Sequence, residues 1–359
     1  MEAIYYVMCW ACHRRCRHCY DARYRPYVRA ELREVVEEAV RNSPRIIDNL
    51  PDAVAYLDPT KPLPGGGYAE RAGRVALSGG ELLIDPVREA VLYPGLKRLR
   101  ARYPAATRVK LAVQTTGDLL TERILDELLE HGADVVNVSG MDDFHVGLEG
   151  DKRRPLVERL VRMFESRGLR DVAERVPPGA NAGAARYMFF GATEDQWIGA
   201  IWPRGRAWAN GLSRAGITDN FCARQSGGMN FLDRRYAGSE VAVDPAGNVY
   251  PCCLKTRAPL GSLLEERLTD ILDSLAGHPA FEAINAGRPD RMGLTYGWSV
   301  DDFLAASVTT TPEGRDYRNL CIGCDRFHER VLGPVIAELR ERRLAARRSD
   351  AFGAQRAAE

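Results

Sequence analysis

Eight residues near the start of the chain, CHRRCRHC (12–19), place Cys12, Cys16 and Cys19 at C-x3-C-x2-C spacing, with two histidines and three arginines between them. Three thiols this close could belong to a disulfide framework, a zinc site or an iron–sulfur cluster. The opening MEAIYYVMCW has no basic start and no long apolar core before a small-residue cleavage site, and no later stretch reads as a membrane span. A cytoplasmic chain is expected, and there clustered cysteines more often bind metal or do chemistry than form bridges. Three ligands from one loop leave a metal centre with an open position, as catalytic sites do. The spacing also differs from the ferredoxin patterns, in which cysteine coordinates every iron of the cluster. A cubane on Cys12, Cys16 and Cys19 would keep one iron free.

Cys9 reads as a small buried thiol. The other cysteines, Cys222, Cys252, Cys253, Cys321 and Cys324, come after a gap of about two hundred residues that must hold the scaffold for the first group. AIYYVM (3–8) is β-rich and leads into the cysteine loop. Leu32, Val35, Val36, Ala39 and Val40 recur at helical spacing. Residues 51–74, rich in Pro and Gly, read as a long surface loop. RVALS (74–78), VKLAVQ (109–114) and DVVNVS (134–139) read as strands. Helices are expected around 86–103, interrupted by Pro94, then at 121–132 with Thr121 as N-cap, and at 155–168. Strands alternating with helices, and apolar on both faces, indicate a parallel sheet covered by helices.

Each strand is followed by a polar, glycine-rich or thiol-bearing element: the cysteine loop, GGE (79–81), TTGD (115–118) and GMDDFH (140–145). In parallel α/β architectures ligands bind at the carboxyl ends of strands. With CxxxCxxC after the first strand and GGE after the second, the chain resembles the radical S-adenosylmethionine enzymes over roughly its first 200 residues. The resemblance implies a partial (β/α)6 TIM-like barrel whose free iron chelates S-adenosylmethionine, and reductive cleavage to a 5′-deoxyadenosyl radical. It implies that Gly79 and Gly80 let the backbone approach the methionine moiety while Glu81 accepts from its ammonium group. His18 stands where the family usually has an aromatic residue and would stack beside the adenine. Gln114, Thr115 and Ser139 are candidate contacts for the ribose or carboxylate. An electron donor such as flavodoxin or ferredoxin is the partner implied.

EVAVDPAGNVYPCC (240–253) reads as a hairpin whose end delivers Cys252. CIGC (321–324) adds two thiols and Cys222 completes four. This resembles the SPASM or twitch extension of the same superfamily, a small α+β domain with an auxiliary [4Fe-4S] cluster, although four thiolates would equally satisfy structural zinc. The cysteine count allows one auxiliary cluster, hence two [4Fe-4S] clusters in all. Residues 1–215 are the expected barrel, 216–333 the auxiliary domain, and 334–359 a solvated helix fraying at the C-terminus. Adjacent Cys252 and Cys253 point to opposite faces of a strand, so only one readily ligates the cluster; Cys252 occupies the G-x4-C position of the resemblance, which implies that Cys253 is the spare thiol.

A net charge of +1 with 28% charged residues gives no electrostatic reason to expect nucleic acid or an anionic membrane as partner. Peptide-modifying members of the resembled superfamily often carry a leader-peptide-binding domain before the barrel, and with eleven residues ahead of the cysteine loop a small molecule, sugar- or nucleoside-like, is the expected substrate. Asp142, Asp143 and His145 at a strand end are candidate catalytic contacts, and Trp197, Trp202 and Trp208 could stack on a ring. The expected reaction is dehydrogenation, with the auxiliary cluster taking the surplus electron. The alternatives are an epimerase in which Cys253 returns a hydrogen atom, a peptide-modifying maturase, and a metal-binding scaffold or redox sensor without turnover.

Overall fold

The computed structural model describes residues 1–174, 184–192, 201–224 and 229–358. Strands β1 (Ala3–Cys9), β4 (Arg74–Gly79), β5 (Lys110–Thr115), β6 (Val135–Val138), β8 (Arg186–Phe189) and β9 (Glu240–Val243) run parallel in one curved sheet. The short β7 (Arg170–Asp171) lies at one edge, and β10 (Asn248–Tyr250) with β11 (Gly261–Ser262) at the other. The order is β11-β10-β9-β1-β4-β5-β6-β8-β7. Crossovers between neighbours are helical: α1 (Arg29–Asp48) precedes β4, and α2 (Asp85–Val87) joins α3 (Tyr93–Arg102) through a π-helical turn before β5. Then α4 (Glu122–Glu130) precedes β6 and α5 (Arg154–Ser166) follows it. This is a mixed α/β partial barrel continued by an auxiliary domain. The sheet does not break at residue 215: β9, from the second part of the chain, pairs with the free edge of β1.

Two-residue periodicity sorts the side chains. Ile4, Tyr6, Val75, Leu77, Leu111, Val113, Val136, Val138, Val241 and Val243 point outward into the main core beneath the helices. The alternate residues Tyr5, Ser78, Gln114, Asn137 and Glu240 take the other face. Strands expected to be apolar on both faces are thus apolar on one and polar toward the lumen, because an open barrel keeps a solvated interior for its ligand.

The structure corrects two further expectations. Residues 51–74 hold an antiparallel hairpin of β2 (Ala55–Pro62) and β3 (Tyr68–Ala72) rather than a bare loop. Its prolines lie at the edge and in the turn, where missing N–H groups cost no pairing, and they hid the alternation. The C-terminal helix Gly333–Ala358 is not simply solvated: Arg343 is buried and donates to both carboxylate oxygens of fully buried Glu266, at 2.7 and 3.0 Å, and to the Leu260 carbonyl. Helix α4 starts at Thr121, whose hydroxyl accepts from Ile124 N, as the sequence implies.

Candidate functional site

The three-cysteine loop leaves the carboxyl end of β1 and folds back over the barrel mouth. Its path is fixed by the GGE turn after β4. Gly80 N donates to the Cys9 carbonyl (3.0 Å) and Glu81 N to the Ala11 carbonyl (2.8 Å), and a Cβ on Gly80 would fall 2.1 Å from the Ala11 oxygen. Glycine is therefore required at position 80 by the backbone of the cysteine loop itself. From the other side Arg206 clamps the loop, donating to the carbonyls of Cys16, Ala22 and Tyr24, while backbone N–H groups of Arg206 and Ala207 reach the Cys19 carbonyl.

The side chain of Glu81 is not turned to the cavity. It is 1% exposed, and its Oε1 accepts from Leu83 N (3.0 Å) and Thr115 Oγ1 (2.8 Å), its Oε2 from Thr116 N and Thr116 Oγ1 (both 2.7 Å). Four protein groups converge on its two oxygens and turn the carboxylate away from the ammonium group expected there. The network runs on: the single proton of the Thr116 hydroxyl is shared between Glu81 Oε2 and Asp118 Oδ1, and Asp118 Oδ2 meets His13 Nε2 and Arg14 Nη2 at 2.7 Å each. Asp118 is buried, which alone would raise its pKa, but His13, Thr116 and Arg14 hold it well below the usual carboxylate range. GGE, TTGD and the cysteine loop are thus one hydrogen-bonded unit, and Thr116, Asp118 and Arg206 are members that the motifs alone did not single out.

One cavity in the lumen is lined by Cys12, Cys16 and Cys19, by Gly79 and Gly80, by His18, Gln114, Thr116, Ser139, Asp142 and His145, and by Tyr5, Trp202, Glu240 and Cys253. Burial pushes the Cys12 thiol up to about 12, whereas the Cys16 thiol, bonded by Cys19 and faced by His145, is pulled below its ordinary value. Asp142 Oδ1 lies 2.9 Å from His145 Nδ1 and Asp142 Oδ2 accepts from Ala192 N. Burial opposes the charge on both, but their pairing outweighs it, lowering the pKa of Asp142 and raising that of His145. His18 packs on His145 with ring centroids 4.5 Å apart, and burial and the His145 charge lower its pKa to about 4.

Other expected contacts lie elsewhere. Asp143 is exposed and paired with Arg153 (2.7 Å). The Thr115 hydroxyl points at Glu81 rather than the cavity, whereas Ser139 does line the cavity and its Oγ donates to the Thr115 carbonyl at 3.2 Å. Trp208 stacks edge-on against Tyr317, outside the lumen, and Trp197 lies outside the described residues.

Cys222, Cys252, Cys321 and Cys324 line a second, smaller and mainly apolar cavity with Phe221, Leu254, Pro289 and Leu320. Burial raises all four thiols, Cys252 to about 11. Four thiolates there would be too costly without a cationic centre to offset them, and three thiols open to a cavity on one side fit a centre with a free position. Both donor sets therefore fit iron–sulfur clusters. Cys253 is turned from this cage into the lumen. Tyr250 of β10 faces Ala242 of antiparallel β9, and Glu240 lies beside Ala3 at the start of β1. Glu240 thus lies at the strand end away from the cysteine loop, whereas Cys253 clusters with Tyr5 and with Tyr20, the residue after Cys19.

Residues 235–290 match the family model SPASM, described as an iron–sulfur cluster-binding domain. Among solved structures, the chain is similar to BtrN in complex with AdoMet and 2-DOIA, at 16% identity over 82% of this chain and 88% of that one, TM-score 0.41. It is similar to anSMEcpe with bound AdoMet and Cp18Cys peptide, at 13% over 94% and 99%, TM-score 0.39. A third is Streptococcus suis SuiB bound to precursor peptide SuiA, at 13% over 79% and 66%, TM-score 0.40. No curated protein sequence matches the chain. A domain described as iron–sulfur cluster-binding thus follows a parallel partial barrel whose mouth carries the C-x3-C-x2-C loop seated on GGE. Among the described residues no helix is long and apolar enough to cross a membrane.

Proposed function

We propose that this chain is a radical S-adenosylmethionine enzyme with a SPASM-type domain, taking S-adenosylmethionine and two [4Fe-4S] clusters as cofactors, and that it inverts a carbon centre of a small molecule held in the barrel lumen. The observation that carries the proposal is the placement of Cys253, which lines the same cavity as the three-cysteine loop. Cys12, Cys16 and Cys19 would hold the open cluster, and Cys222, Cys252, Cys321 and Cys324 the auxiliary one. When bound, these groups and S-adenosylmethionine supply the one-electron chemistry that removes a hydrogen atom from a substrate carbon.

The stereochemical outcome is set by the chain's own residues. Cys253 presents its S–H to the face of the carbon opposite the cysteine loop. Transfer of that hydrogen atom forms a C–H bond, breaks the S–H bond and leaves the sulfur one electron short. One electron, from a reduced flavodoxin- or ferredoxin-type donor, and one proton restore the thiol. Because the hydrogen leaves from one side and arrives from the other, configuration inverts. Tyr5, whose hydroxyl bonds Ser78 Oγ (2.6 Å), and Gln114 line the same cavity. The dehydrogenation expected from the sequence rested on the spare thiol facing the subdomain core, and Cys253 does pack there with Tyr250 and Leu254 while also lining the lumen cavity.

Dehydrogenation remains the second reading, favoured by the Asp142–His145 pair, since an imidazole oriented by a buried carboxylate at the cavity wall can accept a hydroxyl proton. The two are separated by turning over wild-type enzyme and the Cys253→Ala variant in deuterated buffer with a pool of small polar metabolites. Inversion requires solvent deuterium on the product carbon of the wild type, and 5′-deoxyadenosine without inverted product from the variant. An oxidised product formed at equal rates by both would overturn it.

A further inference from the structure

The charges on the lumen wall are paired with one exception. Arg14 is bonded to Asp118, and Asp142 to His145. Glu240 lines the cavity, and among the described residues no donor reaches its carboxylate. The cation that acts on it, Arg74, is already bonded to Glu2 (Nη1–Oε1 2.6 Å), and Glu2 itself repels it. Nor is its place an accident of an exposed edge. In β9 the outward residues Val241 and Val243 are buried in the main core, and Glu240 and Ala242 take the lumen face. Glu240 is half-buried, and desolvation raises its pKa to about 7, only partly offset by Arg74. A half-buried carboxylate that no protein donor reaches, retained in a ligand cavity, fits a ligand that brings a positive charge.

We propose that Glu240 is the anchoring subsite for an ammonium group, so that the substrate is an amine-bearing small molecule, with the amine held at the end of the lumen away from the cysteine loop. This rests on the lumen being the substrate site. It deepens that reading by naming the substrate's charge and its orientation. An ion pair with Glu240 fixes which end of the molecule lies away from the three-cysteine loop, and hence which carbon is presented between that loop and Cys253. The Tyr5 and Tyr20 rings beside it supply apolar walls that exclude water and strengthen the pair.

The test is calorimetric titration of the anaerobically reconstituted enzyme, with S-adenosylmethionine present, using three probes of one shape: D-glucosamine, its N-acetylated form and D-glucose. Wild type should prefer glucosamine to both neutral sugars by at least about tenfold, and Glu240→Gln should abolish the preference while leaving glucose affinity and iron content unchanged. Equal affinity for the three probes in wild type overturns the proposal, as does undetectable glucosamine binding or a preference that survives in Glu240→Gln. The wild-type comparison stands even if the variant misfolds. Iron content and 5′-deoxyadenosine formation, measured on the same preparations, report on the site itself, so a wrong substrate class is distinguishable from a wrong site.

Discussion

Replacing Glu81 by Gln separates two roles for the GGE motif. Gln keeps the shape but exchanges one acceptor oxygen for an NH2 group. The hydroxyls of Thr115 and Thr116 can turn to accept, but the backbone N–H groups of Leu83 and Thr116, one on each carboxylate oxygen, cannot. Either orientation of the amide therefore orphans one buried backbone donor, at about 1–3 kcal/mol, and weakens the remaining bonds by removing their charge, at about 1 kcal/mol more. The expected loss is about 2–4 kcal/mol, or roughly 3–5 °C in the unfolding midpoint of a chain this long. The assay is anaerobic thermal unfolding by circular dichroism at one scan rate, with calorimetric titration of S-adenosylmethionine on the same protein. A midpoint unchanged to within about a degree, together with lost S-adenosylmethionine affinity, would refute the reasoning and return Glu81 to direct contact with the cofactor.

Four further outcomes are expected. Alanine at Cys222, Cys252, Cys321 or Cys324 should remove about four of about eight irons per chain, whereas Cys9→Ala and Cys253→Ala should remove none, by iron and sulfide analysis after anaerobic reconstitution. Asp118→Asn should lower cluster occupancy by loosening His13 and Arg14. Because the folded pKa of Asp118 is depressed, its stabilisation is complete above the unfolded value of about 4 and is lost as pH falls further. The wild-type advantage over the variant in urea unfolding should thus be flat from neutrality to about pH 5 and shrink below about pH 4. Arg343→Ala leaves Glu266 buried without its partner and should cost about 3–5 kcal/mol, recovered in part by adding Glu266→Gln, as read from unfolding midpoints.

The cysteine loop, GGE, TTGD and the Asp142–His145 turn were legible because each follows a strand, and a parallel barrel gathers strand ends at one mouth. The four cage cysteines were legible by count. Motif spacing does not reveal which way a side chain turns once neighbouring loops meet. Glu81 reads as a cofactor contact until Thr115 and Thr116 of the next strand are seen to converge on its oxygens. Glu240 opens a strand of otherwise apolar residues, and only the pairing of β9 with β1 shows that its face is the lumen. Arg206 lies in a segment read for its tryptophans, and its bonds to the cysteine loop span more than 180 residues of chain. The β2–β3 hairpin was concealed by prolines at positions that require no donor.

The central claim is that Cys12, Cys16 and Cys19 hold an open cluster that takes S-adenosylmethionine, while Cys222, Cys252, Cys321 and Cys324 hold a closed one. Electron paramagnetic resonance of the reduced enzyme, with and without S-adenosylmethionine, tests it most directly. Two reduced-cluster signals are expected. Only the signal that disappears in a Cys12, Cys16 or Cys19 variant should shift on adding S-adenosylmethionine, and the signal lost in Cys252→Ala should stay in place. Two signals that both ignore S-adenosylmethionine, or a shift confined to the one lost in Cys252→Ala, would contradict the account.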